Sequence, residues 1–497
     1  MSEAVIDQLM ERAAAAEAVH KWSEAVALYE VALARAPDHL PAMLGAAAAC
    51  RANGDHARAI VFLARAERAA PDRADVALAL GEALTSGTRL TEAVAAFERA
   101  RAAAPLDAAI AARLGSARLK VGDAEGGVTA FETALGLDAA EPRALRDIGS
   151  ALVAAGRPFE ALAAFRRLGD PLPRLERAEA LLSLGDMAGG FAELDAVAML
   201  APPAWARGLP AWDGGPLAGR LAVWVDLGPS DFSSLLPTLP LARSLVGDIV
   251  LVLPKPFVRL AGAVAGVGLA VADPAEIGPV EAVAPLAGLA ARMGLTAGSF
   301  RPERSLISAE PVQVDRWASR LALSRGKPAV GIVWGGKVGG VGGRDLALAD
   351  FAALSDGQEL RFIALERLPA SMVVRSQAPS GWEVAGAPIK IEHPGPDFEA
   401  GIDARTDTVA VLERLDAVIA IDSMPLRLAG LMHRPAVALL PPTADWIYGT
   451  SGGLPQRYPT LTILRAAPGG APAALLPAAL RIVRDAIARK RDTQTSV

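Results

Sequence analysis

The pattern of apolar and polar positions changes character near residue 200. Before that point apolar side chains recur at helical spacing, and the same positions return every 34 residues: Pro37, Pro71 and Pro105, then Ala139 and Pro173. On this ruler Ala25, Ala59, Ala93, Gly127 and Ala161 share a column. Tyr29, Leu63, Phe97, Phe131 and Phe165 follow four residues later, and Ala32, Ala66, Ala100 and Ala134 come next, with Leu168 departing. Gly81, Gly115 and Gly149 share a first-helix column, and turn glycines fall at Gly54, Gly87, Gly122 and Gly156. Each period predicts two antiparallel helices. Small residues let the pair approach, the ring fills the gap to the next pair, and proline ends the second helix because it cannot continue the hydrogen-bond ladder. Residues 6–175 hold five full periods, and a shortened sixth runs to about 200, where Pro202-Pro203 stops it.

Beyond Pro203 the texture is one of short β-branched runs separated by helical stretches. Leu221–Asp226, Ile249–Leu253, Leu269–Val271, Ala329–Trp334, Phe362–Leu365, Ala417–Ile421 and Ala436–Leu440 read as buried strands. Helices are expected near 236–245, 311–323, 347–354, 406–414, 424–432 and 473–490. Strand alternating with helix predicts parallel, doubly wound sheets. Two sets, about 216–305 and 325–470, predict two Rossmann-like domains facing a cleft.

Composition narrows the function classes. The 497 residues carry a formal charge of −5, which argues against a general nucleic-acid binder. A single cysteine, Cys50, excludes an intrachain disulfide and a Cys-cluster metal site, and five scattered histidines do not suggest a zinc enzyme. Trp22, His20 and His56 read as packing or solvated residues. With no signal-peptide pattern and no apolar run of about 18 residues, the expectation is a soluble, cytoplasmic chain without an integral membrane span.

The 34-residue columns resemble the tetratricopeptide repeat, a solenoid whose concave face usually holds a peptide or protein. The chain from Trp212-Asp213-Gly214-Gly215-Pro216 onward is similar to the catalytic half of bacterial repeat-containing glycosyltransferases, related to heptosyltransferases. The resemblance runs through Val330-Gly331-Ile332-Val333-Trp334, Arg344, Asp407-Thr408, Asp422-Ser423, Leu428-Ala429-Gly430, Arg434-Pro435, Asp445-Trp446 and Tyr458-Pro459-Thr460. It implies an α-solenoid followed by a GT-B fold of two Rossmann-like domains. The expected boundaries are 1–200 for the solenoid, 201–215 for a linker, 216–310 for the acceptor-side domain and 311–497 for the nucleotide-sugar domain. Some members of this architecture glycosylate flagellin, which makes flagellin a candidate acceptor.

Sugar transfer needs a base for the acceptor hydroxyl and groups that stabilise the departing phosphates. Asp231 is the candidate base, beyond the carboxyl end of a strand where α/β sheets place ligands. Aspartate is equally a favoured helix cap. The six glycines of Gly335–Gly343, with Lys337 and Arg344, could turn backbone N–H groups towards an anion; Gly336, Lys337 and Arg344 are the named donor-site candidates, against a plain surface loop. Asp422 and Ser423, with Pro425 in the first helical turn, resemble the donor-binding pair of the family or act as a helix cap. Arg427 stands where the family has histidine and could hold a phosphate bidentately. Asp345 stands where the family has serine, and Leu227 and Ser230 where it has glutamine and glycine. Trp446, Tyr448 and Tyr458 could stack on a base or simply pack. Glu366 is given a minor acceptor or base role, and His393 and His433 read as loop residues. Asp-x-Asp occurs nowhere, so metal-independent transfer is expected, with no cofactor beyond the nucleotide-sugar co-substrate. The expected function is transfer of a sugar to a protein hydroxyl, the protein being held on the concave face of residues 6–175. The alternative is an inactive transferase-like scaffold that binds proteins through its repeats.

Overall fold

The computed structural model describes residues 3–168, 174–225, 229–300, 302–323, 326–335, 346–401, 404–441, 446–448, 458–467 and 470–495. The chain forms two compact units, Met1–Pro171 and Leu172–Val497.

The first unit is a stack of helix pairs: α1 (Glu3–Ala18) with α2 (Trp22–Arg35), α3 (Leu40–Ala52) with α4 (His56–Ala69), α5 (Ala74–Ser86) with α6 (Leu90–Ala103), α7 (Ala108–Lys120) with α8 (Ala124–Leu137), and α9 (Pro142–Ala154) with α10 (Pro158–Leu168). Alanine supplies helix propensity and costs no side-chain entropy. Asp55, Asp107 and Asp123 cap the helices that follow them by accepting from the backbone N–H three residues on. The column glycines do the packing work expected of them. A Cβ on Gly81 would meet Phe97 at 2.7 Å, on Gly115 Phe131 at 2.8 Å, and on Gly149 Phe165 at 2.0 Å. Each ring therefore occupies the place a side chain would take on its partner helix, and all three rings are buried. One turn differs from the other three. Gly54, Gly122 and Gly156 take positive φ, but in the remaining turn Thr88 does so, at 59°. Gly87 lies at φ −80°, and a Cβ there would press on Ile60 Cδ1 at 3.2 Å. Closeness, not left-handed backbone, is what that glycine provides.

The second unit begins with another helix pair, α11 (Arg174–Ser183) and α12 (Met187–Leu200). The 34-residue ruler assigned this pair to the solenoid, ending that domain at 200; it instead packs within the α/β unit. Phe191 on α12 stacks against Phe300 at 5.1 Å, and Asp195 accepts from Arg292 Nη2 at 2.9 Å. The span expected as a linker, 201–215, is likewise tied in: Trp212 is 2% exposed and its N–H donates to the Val283 carbonyl.

Two sheets follow. The first holds β1 (Leu217–Trp224), β2 (Val246–Val252), β3 (Leu269–Val271) and β4 (Ala282–Pro285), all parallel, in the order β3-β2-β1-β4. Short helices connect them: α13 (Pro229–Leu235) and α14 (Thr238–Arg243) where one helix over 236–245 was expected, then α15 (Val258–Gly262) and α16 (Leu289–Arg292). After α17 (Pro311–Arg320) comes the second sheet: β5 (Ala329–Val333), β6 (Arg361–Ala364), β7 (Val373–Arg375), β8 (Trp382–Val384), β9 (Ile391–Glu392), β10 (Ala417–Ile421), β11 (Ala436–Leu440) and β12 (Leu461–Arg465). Its order is β12-β11-β10-β5-β6-β9-β8-β7, and β8 alone runs antiparallel to the other strands. The helices α18 (Ala404–Leu412), α19 (Met424–Leu431) and α20 (Leu476–Thr495) complete it. Alternate residues of the central strands serve opposite faces. Val330, Ile332, Ile419 and Ile421 pack with Leu476, Leu480 and Val483 of α20. Ala329, Val333, Val418 and Ala420 pack with Leu426 and Leu428 of α19.

The strands joined by parallel pairing, renumbered in order of appearance, run 3-2-1-4 in the first sheet and 6-5-4-1-2-3 in the second. Chain direction across the sheet reverses beside β1 in one and between β5 and β10 in the other. Open α/β sheets bind ligands outside the strand carboxyl ends at such reversals.

Candidate functional site

The residues after β10 sit at the second sheet's reversal. Ser423 has extended backbone, φ −153°, and its Oγ accepts from Leu426 N at 3.4 Å, which caps α19; Pro425 occupies the first turn without loss because no ladder bond is available there. Asp422 beside it is the hub of a polar cluster. Arg427, one turn into α19, donates to Asp422 through Nη2 at 2.9 Å and Nε at 3.2 Å. Tyr448 donates its hydroxyl to Asp422 Oδ1 at 2.7 Å. Arg427 Nη1 also donates to Ser234 Oγ at 2.8 Å. Ser234 belongs to α13, the helix that follows β1 of the first sheet. The segments emerging from the two reversals therefore meet at Arg427. Its side chain is 3% exposed, and that of Asp422 11%.

Burial sets the electrostatics. The Tyr448 phenol is pushed well above its ordinary value, first by desolvation and then by the negative charge of Asp422, so it stays a donor. Tyr448 and Tyr458, read from sequence as aromatics that either stack on a base or pack, are both core residues: Tyr448 is 7% exposed, and Tyr458, at 1%, lies where a Cβ on Gly430 would meet its ring at 2.7 Å. Trp446 is half-buried, edge-on to Phe191 with ring centroids 5.7 Å apart. That contact ties it to helix α12.

Several expected residues lie outside the described residues, namely Gly336, Lys337, Arg344 and Asp345. Asp231 falls inside α13, so it is not the residue preceding that helix, and its side chain lies outside what is described. What can be placed is the root of the glycine run. Glu366, just past β6, accepts through Oε1 from the backbone N–H of Trp334 and from that of Gly335 at 2.7 Å. Its carboxylate holds the chain where β5 hands over to the glycines, a positioning task that sequence reasoning did not assign to it.

His393, expected as a plain loop residue, is 1% exposed and holds Glu366 from behind. Its Nε2 lies 3.0 Å from the Glu366 carbonyl, and Nδ1 accepts from Gly395 N at 2.9 Å, an arrangement that fits the neutral ring with its proton on Nε2. Burial pulls its pKa below the ordinary 6.5. In an unfolded chain the ring takes up a proton near that value, while the folded chain resists it. The fold therefore loses stability as pH falls below about 6.5, until the folded ring is protonated as well, and regains it as pH rises. Replacing His393 with glutamine should flatten that dependence in chemical denaturation followed at several pH values; an equal slope in both proteins would contradict this placement.

A second buried cluster, around Asp407-Thr408, is structural. Asp407 accepts from Trp317 Nε1 at 2.8 Å and from Glu399 N at 3.1 Å. Glu399 accepts from Thr408 Oγ1 at 2.5 Å and pairs with Arg405 at 3.1 Å. Both carboxyls are pushed up by burial. They fasten α18 to α17 and to the segment that precedes α18. Among the described residues no group of three metal-ligating side chains comes together, and no helix is long and apolar enough to cross a membrane.

Comparison with known proteins bears on the first unit. The tetratricopeptide repeat family matches residues 16–83, and again 62–108 and 112–173. No curated protein matches the chain. Among solved structures, a MamA from Desulfovibrio magneticus RS-1 is 20% identical, covering 34% of this chain and 94% of its own, with a TM-score of 0.32. A second MamA, AMB-1, is 26% identical over 32% of this chain and 94% of its own, with a TM-score of 0.30. YrrB, described as a TPR protein with an unusual peptide-binding site, is 19% identical over 32% of this chain and 82% of its own, with a TM-score of 0.30. The N-terminal region of the chain is made of tetratricopeptide repeats, the repeat type of protein–protein interaction modules, and it is followed by a part built on two α/β sheets.

Proposed function

We propose that the second unit is a GT-B-type glycosyltransferase that takes a nucleotide-sugar donor at the carboxyl ends of β5 and β10, and that the repeats hold its protein acceptor. The observation that carries this reading is the meeting of the two sheet-reversal segments at Arg427, Asp422 and Ser234. Two doubly wound sheets facing each other across a polar seam are what a transferase needs to bring donor and acceptor together while water is kept out. In this reading the α19 N-terminus, with its macrodipole and capping Ser423, faces the donor's phosphates. Lys337 and Arg344 add positive charge from the glycine run, and Glu366 fixes where that run begins. Asp231 takes the proton of the acceptor hydroxyl as the bond from hydroxyl oxygen to sugar carbon forms and the nucleotide leaves with its electron pair. Flagellin is the acceptor carried over by resemblance.

A second reading is favoured by one specific observation. Arg427, standing where the resembling family has histidine, already spends its guanidinium on Asp422 and Ser234. An ion pair filling the site is what an inactive transferase-like scaffold would contain. Ligand-detected NMR of the purified chain against UDP-, GDP-, CMP- and ADP-sugars separates the two. The transferase reading expects one donor class to bind and Arg344→Ala to lose at least tenfold in affinity with its fold intact. Silence across the panel establishes the scaffold instead.

A further inference from the structure

The first helices of successive pairs in the first unit carry a charge pattern along one groove. A groove of about 460 Å³ crosses α3, α5, α7 and α9, the first helices of four successive pairs. Arg51, Glu82, Arg113, Ser116, Lys120 and Arg143 line it. Glu82 lies between two arginines, 3.0 Å from Arg51 Nη2 through one oxygen and paired with Arg113 through the other. Ser116 donates to Asp147 at 2.7 Å. Lys120 and Arg143 are in no ion pair among the described residues, and Lys120 is exposed. Four cations thus face two carboxylates, in a chain whose overall charge is −5. The excess positive charge is local, and it is placed where a solenoid presents its extended binding surface.

We infer that this groove holds an extended acidic peptide segment, whose carboxylates pair with Lys120 and Arg143 and lie along the Arg51–Glu82–Arg113 row. Three helix-to-helix steps of roughly 10 Å each, at about 3.3 Å per extended residue, correspond to about nine residues of peptide. A nucleic acid fits less well, because the groove's one ring, Phe97, is 3% exposed and offers no face to a base. The inference rests on the reading that the repeats hold a protein partner and is independent of the sugar-transfer chemistry.

The test uses the full chain and a fluorescein-labelled decapeptide of alternating glutamate and serine, read by anisotropy at low salt. The same peptide with glutamine for glutamate and a single-stranded oligonucleotide of equal charge are the comparisons. The acidic peptide should bind, the glutamine peptide should bind at least tenfold more weakly, and binding should weaken as salt rises. The double variant Lys120→Glu/Arg143→Glu should lose at least tenfold. Arg68→Glu/Arg101→Glu, with the same charge change on the second helices α4 and α6, should match the wild type. Equal binding of the glutamine peptide, tighter binding of the oligonucleotide, or no loss in the groove variant would each overturn the proposal. Because the peptide comparison is made on the wild-type chain, it stands even if the groove variant fails to fold. No donor enters the assay, so its failure and a failure of the transferase reading are separate results.

Discussion

Arg427→Ala should lower the stability of the second unit by about 3–5 kcal/mol, because it leaves the Asp422 carboxylate buried without its cation. Removing both charges should do less harm. Arg427→Met combined with Asp422→Asn is expected to be more stable than Arg427→Ala alone, since neither a buried charge nor its desolvation remains. The readout is built into the sequence. Of the eight tryptophans, only Trp22 lies in the first unit, so intrinsic fluorescence on denaturation reports the α/β unit. A double variant less stable than Arg427→Ala would mean that Arg427 acts through packing, with Asp422 a bystander.

Phe131→Ala should lower the stability of the solenoid by about 3–5 kcal/mol. The ring is 0% exposed and lies on Gly115, whose missing Cβ is what lets α7 and α8 close on each other. Neither helix can collapse into the cavity without moving its other neighbours. A stack of repeats also couples each pair to the next, so loss at this internal position weakens both flanking interfaces. The transition should move in far-UV circular dichroism, to which the helical repeats contribute heavily, while the tryptophan transition of the second unit stays in place. Equal shifts in both signals would contradict the division into two independently packed units.

The solenoid was legible because its constraints are local and repeated. The same pair of columns, glycine under ring, appears at Gly81/Phe97, Gly115/Phe131 and Gly149/Phe165, so each period checks the others. The ruler failed where repetition gave out: nothing in the spacing of α11 and α12 foretells that Phe191 stacks on Phe300, more than a hundred residues later. Long apolar strands such as β10 and β11 were readable as continuous runs. The four-residue β4, Ala282–Pro285, and the two-residue β9 carry too few side chains to show a period, and β7 and β8, three residues each with one of them charged, lie at the edge of the sheet. At the candidate site, Asp422, Ser423 and Arg427 are neighbours in sequence at the start of a helix, so their clustering was readable, while their part in donor binding is the proposal made above. Ser234 was missed because its role depends on Arg427, 193 positions away. The contacts of His393 and Glu366 were not readable for a related reason: they are made with backbone N–H and carbonyl groups, which leave no signature in residue type.

The most direct measurement of the central claim is hydrogen–deuterium exchange of the full chain with and without saturating nucleotide-sugar from the donor panel. Donor bound at the second sheet's reversal should slow exchange across residues 417–428, which run from β10 into the first turn of α19, and leave residues 3–168 unchanged. Binding that leaves 417–428 unprotected would contradict the placement of the donor site.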